Sequence, residues 1–143
     1  MQLTVAYHRD GDVHTIDTGG AALKQIVVDN TNIPADKRSG TAKQLLCASA
    51  LYCYASALNA AMEARGLNYT SLDLNAVMDV DANEKGQSRV LKITITANVG
   101  IDEEDLDLFD RVARVMKNGC LVTGSLHDGI EMVYQLNPVY EED

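Results

Sequence analysis

Tryptophan is absent from the 143 residues, phenylalanine occurs once and proline twice. Any core must therefore be built from Leu, Ile, Val, Ala and Met. Basic charge is also scarce, with 12 Lys and Arg against 21 Asp and Glu and a net charge of −9. Affinity for phosphate needs clustered cations, so the balance argues against nucleic acid or an anionic membrane as partner. Met1-Gln2-Leu3-Thr4 shows no basic region leading into an apolar run. The longest apolar stretch, Leu45 to Leu58, is shorter than the ~18 residues of a spanning segment, so a cytoplasmic location is the expectation. There are three cysteines, Cys47, Cys53 and Cys120, an odd number with no Cys-x-x-Cys pair. That argues against a secreted disulfide framework and for thiols that are kept reduced or used in redox chemistry. His8, His14 and His127 lack zinc-ligand spacing. Neither a phosphate-binding glycine loop nor a nucleophile elbow occurs, so neither a metal nor a cofactor is expected.

What is present reads as a mixed chain of 46% apolar residues, enough for one compact domain over 1–143. Leu3, Val5 and Tyr7 alternate with polar or small residues, Asp10-Gly11 signals a hairpin turn, and Val13 to Asp17 supplies the return strand. Leu23 to Asp29 predicts a third strand. Thr41, with Gln44 three residues on, predicts a capping box that opens a helix running to Arg65 and closing at Gly66. Ser49, Ala50, Cys53, Ala57 and Ala60 make a strip of small side chains on that helix, which is apolar on every side and so calls for burial. The alternations Leu72 to Val80 and Leu91 to Val99 predict a long hairpin with one wet and one dry face. Asp102 predicts the cap of a second helix, stapled by Ile101 and Leu106, with a core stripe of Leu106, Phe109, Ala113 and Met116. Cys120 follows, then a short segment to Gly129 and a last strand over Ile130 to Leu136. The order βββ-α-ββ-α-β gives an α+β fold.

The run from Gly40-Thr41 through Leu45 and small residues to Cys53 resembles the signature of the OsmC/Ohr family, the osmotically inducible and organic hydroperoxide resistance proteins. There a Gly-Thr-x-Pro-Glu-x-Leu start leads to a reactive Cys in the central helix. Cys120-Leu121-Val122-Thr123 resembles the family's second signature, a Cys commonly followed by Pro-Val and a small or hydroxyl residue. Arg9-Asp10-Gly11 resembles the Arg-Asp-Gly of its Ohr-type members. The resemblance spans nearly the whole chain. It implies an intertwined homodimer and an enzyme, a thiol-dependent reductase of organic hydroperoxides in oxidative-stress defence. Cys53 would be the peroxidatic thiolate, oxidised to a sulfenic acid, and Cys120 the resolving thiol that closes a disulfide for a dithiol reductant to reopen. Arg9 would be the cation that activates the thiolate, with Arg38, in the loop before the helix, as a substitute.

Three departures are visible. Lys43 stands where the family keeps a Glu, Ala42 where it keeps a Pro, and Leu121 replaces the Pro after the second Cys. Ten helical residues place Lys43 ~15 Å from Cys53 along the axis. Glu63, Asp10 or a carboxylate from a second subunit is the candidate replacement for the Glu. These departures support an alternative, a non-catalytic module of the same fold that binds a small apolar or thiol ligand or senses redox state. Cys47 lies about 240° around the helix from Cys53 and reads as core; Tyr52 and Tyr54, which flank Cys53, read as core or as lining for a substrate pocket.

Overall fold

The structure, a computed structural model, describes residues 1–129 and 131–137. The chain divides into two compact units, Met1–Thr41 and Ala42–Asp143.

The first unit is an antiparallel sheet in the order β1-β2-β3, with β1 at Ala6–Asp10, β2 at Val13–Asp17 and β3 at Gln25–Asp29. Register runs from Ala6 opposite Asp17 to Asp10 opposite Val13, which leaves a two-residue hairpin loop at Gly11-Asp12. β1 begins later than the alternation of Leu3, Val5 and Tyr7 implied, and Leu3 and Val5 are exposed outside the ladder. A 3-10 turn at Ala35–Lys37 follows.

In the second unit the long helix α1 spans Thr41–Ala64. Thr41 is its first helical residue, so the position of the half-in cap falls to Gly40 and not to Thr41 as the capping-box reading had it. The far end fits the sequence expectation. Gly66 takes a left-handed φ of 68°, its N–H donates to Glu63 O (3.1 Å), and the Leu67 N–H donates to Met62 O (3.0 Å). These are the two bonds of a Schellman ending. They also bring Leu67 back against Met62, and both are buried.

β4 (Ser71–Ala82) and β5 (Ser88–Gly100) form an antiparallel hairpin, with Leu72 opposite Val99 and a bulge at Asp79/Val80. Leu72, Leu74, Ala76 and Met78 on β4 and Ile93, Ile95, Ala97 and Val99 on β5 share the half-buried face. Beyond the bulge the pattern lapses, and Val80, Val90 and Leu91 are exposed. A 3-10 turn at Glu103–Asp105 leads into α2 (Leu106–Met116). Asp102 precedes that turn but makes no side-chain cap bond. The core stripe of α2 is Leu108, Phe109, Val112 and Met116, and Leu106 and Ala113 face outward. The expected stripe shared Phe109 and Met116 but ran one row to the side. The core consists of Leu58, Met62, Leu67, Val112 and Met116, flanked by Tyr54, Ala57 and Ala61 of α1 and Leu72, Ala97 and Val99 of the hairpin.

Two further corrections concern the end of the chain. The segment after Cys120 is a helix, α3 (Leu121–Asp128). The expected last strand does not form over residues 131–136, and its first residue, Ile130, lies outside the described residues. Met132, Val133, Tyr134 and Leu136 are exposed. Alternation marks which faces a strand would have. A strand also needs a ladder partner, and among the described residues none pairs with 131–136.

The stretch Ala35–Ala64 is by length and composition long and apolar enough to cross a membrane. The 14-residue run Leu45 to Leu58 had suggested otherwise, because the helix extends the run at both ends. Core helices pass the same test, and Tyr54, Ala57, Leu58, Ala61 and Met62 of α1 pack against the hairpin and α2.

Candidate functional site

Cys53 lies at the middle of α1, and Cys120 occupies the N-cap of α3. The fold brings these two thiols, 67 positions apart in the chain, close enough that each shifts the ionisation of the other. Both are free and half-buried. Cys47 faces elsewhere, with its thiol 3.9 Å from Ala76 O on β4.

The turn Gly119-Cys120 is built by local chemistry. Gly119 closes α2 with a left-handed φ of 72°, and its N–H donates to Met116 O (3.1 Å). Cys120 is extended (φ −116°, ψ −177°), as an N-cap residue should be. Its N–H donates to the Thr123 hydroxyl oxygen (2.8 Å), and the Cys120 sulfur lies 3.2 Å from that oxygen. The arrangement is a capping box with a thiol in place of the usual hydroxyl and a threonine at the third helical position. The Gly124 N–H closes the first turn onto Cys120 O (2.8 Å).

These contacts separate the two thiols electrostatically. The hydrogen bond to Cys120 is the largest influence on Cys53 and raises its pKa, with desolvation adding to it; N–H groups of Val122 and Leu121 oppose the rise and are outweighed. For Cys120, burial pushes the thiol up, but the hydrogen bond from Cys53, the Thr123 hydroxyl and the backbone N–H groups of Thr123 and Val122 outweigh it, and the net shift is downward. Cys120 sits at the amino end of a helix whose free N–H groups favour negative charge, and Cys53 does not.

Arg9, on β1 of the first unit, donates from Nε to Gly11 O (2.8 Å). Arg38 donates from Nε to Ile33 O (2.6 Å) and pairs through Nη1 with Asp12 (3.3 Å). Lys43 is exposed on the first turn of α1, and Glu63 near its end accepts from Asn59 (3.2 Å). Leu121 is the exposed first residue of α3. Proline is favoured at that position because its missing N–H would otherwise be unpaired; leucine keeps the N–H, and that group faces Cys53. Among the described residues no cluster of three His, Cys, Asp or Glu is placed to hold a metal ion. Within the second unit an open cleft of about 660 Å³ is lined by apolar side chains that include Leu46, Tyr54, Ile93 and Met116, with Lys92 and His127 among the polar ones.

Sequence reasoning picked out both cysteines and missed Thr123. Its signal was the Cys120-x-x-Thr123 spacing directly after Asn118-Gly119, an N-cap pattern that is easily passed over when the cap is not Ser, Thr, Asp or Asn.

A family model described as OsmC-like protein matches residues 35–135. Similar solved structures include an OsmC-like protein from Mycoplasma pneumoniae (TM-score 0.68, 15% identity, 89% of this chain and 88% of that one). An organic hydroperoxide resistance protein from Elizabethkingia anophelis is also similar (TM-score 0.56, 17% identity, 87% and 89% covered). A third is an organic hydroperoxide resistance protein OsmC from Legionella pneumophila (TM-score 0.57, 14% identity, 88% and 89% covered). No curated protein matches the sequence.

Proposed function

Given that the chain belongs to the OsmC-like protein family, we propose that it is a thiol-dependent reductase of organic hydroperoxides that works through Cys53 and Cys120. The observation that carries the reading is the proximity of these two thiols at the amino end of α3, where each shifts the other's ionisation. A neighbouring pair of thiols can deliver two electrons to an O–O bond and store the oxidation as a disulfide. An external dithiol would then reopen it. Arg9 is retained as the proposed cationic residue on its Arg9-Asp10-Gly11 context alone. Coverage of 87–89% of the chain by the similar structures supports reading residues 1–143 as one domain, and a cytoplasmic location goes with the reducing environment that free thiols need.

We also infer a homodimer. Only 17% of the most apolar window of Ala35–Ala64 is buried, and Tyr52, Val77 and Leu91 are among the exposed apolar side chains. Exposed apolar surface on this scale marks an association surface. Sedimentation should give about twice the chain's 15.5 kDa, and a particle of single-chain mass at micromolar concentration would overturn the inference.

The test of activity is consumption of tert-butyl or cumene hydroperoxide with a dithiol reductant. Wild type should exceed both Cys53→Ser and Cys120→Ser, and consumption at the uncatalysed rate by all three sinks the proposal. A second reading, non-catalytic binding of a small apolar ligand, is favoured by the apolar cleft. It predicts binding of an apolar fluorophore with no peroxide turnover.

A further inference from the structure

We propose that α3 is a redox-responsive wall of the cleft: closing a disulfide at Cys120 withdraws the sulfur that caps α3, and the start of the helix loosens. The inference rests on the reductase reading, in which Cys120 ends each turnover in a disulfide with Cys53.

Little besides its ends holds α3 together. It has eight residues, Leu121–Asp128, and none of them is fully buried. Isolated helices shorter than about 12 residues are marginal in water. Its centre, Thr123-Gly124-Ser125, consists of weak helix formers, and the Ser125 hydroxyl donates back to Leu121 O (2.6 Å), a bond that weakens a helix further. Much of the stability of α3 therefore lies in its cap. There the Cys120 sulfur accepts from the Thr123 N–H, the Thr123 oxygen accepts from the Cys120 N–H (2.8 Å), and that oxygen lies 3.2 Å from the sulfur. Gly119 makes room for the box. A Cβ there would come within 2.6 Å of the Thr123 oxygen, and the φ of 72° already disfavours a side chain. A hydroxyl or carboxylate cap would be chemically inert. This one can be oxidised.

In the proposed reaction the two thiols give up two electrons and two protons. The S–S bond forms, the O–O bond breaks, and the peroxide leaves as alcohol and water. The Cys120 sulfur is then bonded to a residue of α1. It has no hydrogen to share with the Thr123 oxygen and no thiolate charge to offer the Thr123 N–H, which joins the unpaired donors of a helix start. Because Thr123, Leu126 and His127 line the cleft together with Leu46, Tyr54 and Ile93, loosening α3 opens one of its walls. The oxidised cleft then holds an apolar ligand more weakly. In the cycle this releases the alcohol and admits the dithiol that reopens the disulfide. Linkage requires the reverse effect as well: an apolar ligand in the cleft holds the pair reduced by the same factor.

The experiment is amide hydrogen exchange read by mass spectrometry on the full chain, reduced and after diamide, in wild type, Cys120→Ser and Cys120→Ala. Peptides covering residues 121–128 should exchange about fivefold faster in the oxidised protein, the factor equivalent to the ~1 kcal/mol of an N-cap. Peptides of α1 should exchange no faster, because the cross-link stabilises the chain as a whole. Cys120→Ser keeps a capping oxygen and cannot form the disulfide, so diamide should leave its α3 protection unchanged. Cys120→Ala should exchange fast in both conditions. Should either variant not fold, the two wild-type states still decide. The fluorophore 1-anilinonaphthalene-8-sulfonate should bind oxidised protein about fivefold more weakly than reduced, and saturating fluorophore should shift the disulfide equilibrium with dithiothreitol toward the thiols by the same factor. Exchange in α3 that is equal or slower after oxidation, or Cys120→Ala as protected as reduced wild type, overturns the inference. Unchanged fluorophore affinity overturns the coupling to the cleft, and diamide that leaves both thiols free overturns this inference and the reductase reading together. Absence of peroxide turnover with α3 loosened by diamide would defeat the reductase reading and leave this assignment standing. Turnover with α3 exchange unchanged would do the reverse.

Discussion

Mild oxidation of the reduced protein with diamide should close a disulfide between Cys53 and Cys120 and make the chain more stable. The two thiols lie near enough to shift one another's ionisation, so closure asks for little rearrangement. The closed loop holds about 68 residues, and the loop-entropy relation gives roughly 4 kcal/mol of destabilisation of the unfolded state. Closure also replaces the Cys120 cap contact with Thr123, which subtracts about 1 kcal/mol. The net of roughly 3 kcal/mol corresponds to a rise in Tm of about 6–12 °C for a chain of this length. Scanning calorimetry at fixed protein concentration reads the shift, because association would otherwise move Tm by itself. Tryptic mapping identifies the linked peptides. The reasoning is refuted by a cross-link that involves Cys47, by the absence of any intramolecular link, or by a Tm that falls on oxidation.

Four other outcomes can be checked independently. Met62→Ala, at a fully buried site in the centre of the core, should cost about 2–5 kcal/mol in a denaturant titration; a loss under about 1 kcal/mol would show that the core is elsewhere. Gly119→Ala should cost about 1–2 kcal/mol for its left-handed φ and should also shift Cys120 alkylation to higher pH through displacement of Thr123. Leu121→Pro, at the first position of α3, should change stability by less than about 1 kcal/mol. Because it removes the N–H facing Cys53, it should slow Cys53 alkylation in a Cys120→Ser background. Arg38→Ala breaks an exposed ion pair with Asp12, so a stability loss under about 1 kcal/mol is expected, and an unchanged thiol profile would remove Arg38 as a substitute cation.

Where a signal is local, the sequence is readable. The extent of β2, the 24-residue α1, the Gly66 ending and the dry face of β4 and β5 each depend on residues within a few positions of one another. The misses have physical causes of a different kind. Thr123, Gly124 and Ser125 form the centre of α3 and are weak helix formers, so propensity argued for a loop where the capping box and the Gly119 turn made a helix. The alternation from Ile130 to Leu136 describes a strand that finds no ladder among the described residues. On α2, Leu106 and Leu108 are both apolar, and only packing against Leu58 and Met62 decides which of them turns inward. The two cysteines of the candidate site were singled out in the sequence through their surrounding motifs. Their mutual proximity, and the asymmetry between them, were not, because that depends on where α3 begins.

That asymmetry bears on the most conspicuous departure in the chain. Lys43 stands where a carboxylate would orient an activating guanidinium, and it is exposed ~15 Å along α1 from Cys53. A reductase that relied on an Arg held by that carboxylate would be impaired by the exchange. The Cys120 thiol, beside the Thr123 hydroxyl, the Cys53 thiol and the amides of a helix start, is influenced by none of those charges. Such donors are fixed by the backbone, so they need no partner to aim them, and short hydrogen bonds are screened far less by salt than a pair of exposed charges. The exchange at residue 43 and the capping box at Cys120 are then compatible features of one site. Raising the ionic strength should leave the Cys120 alkylation profile within about 0.3 pH of its low-salt position. A shift of a full pH unit would return the activating role to a charged side chain.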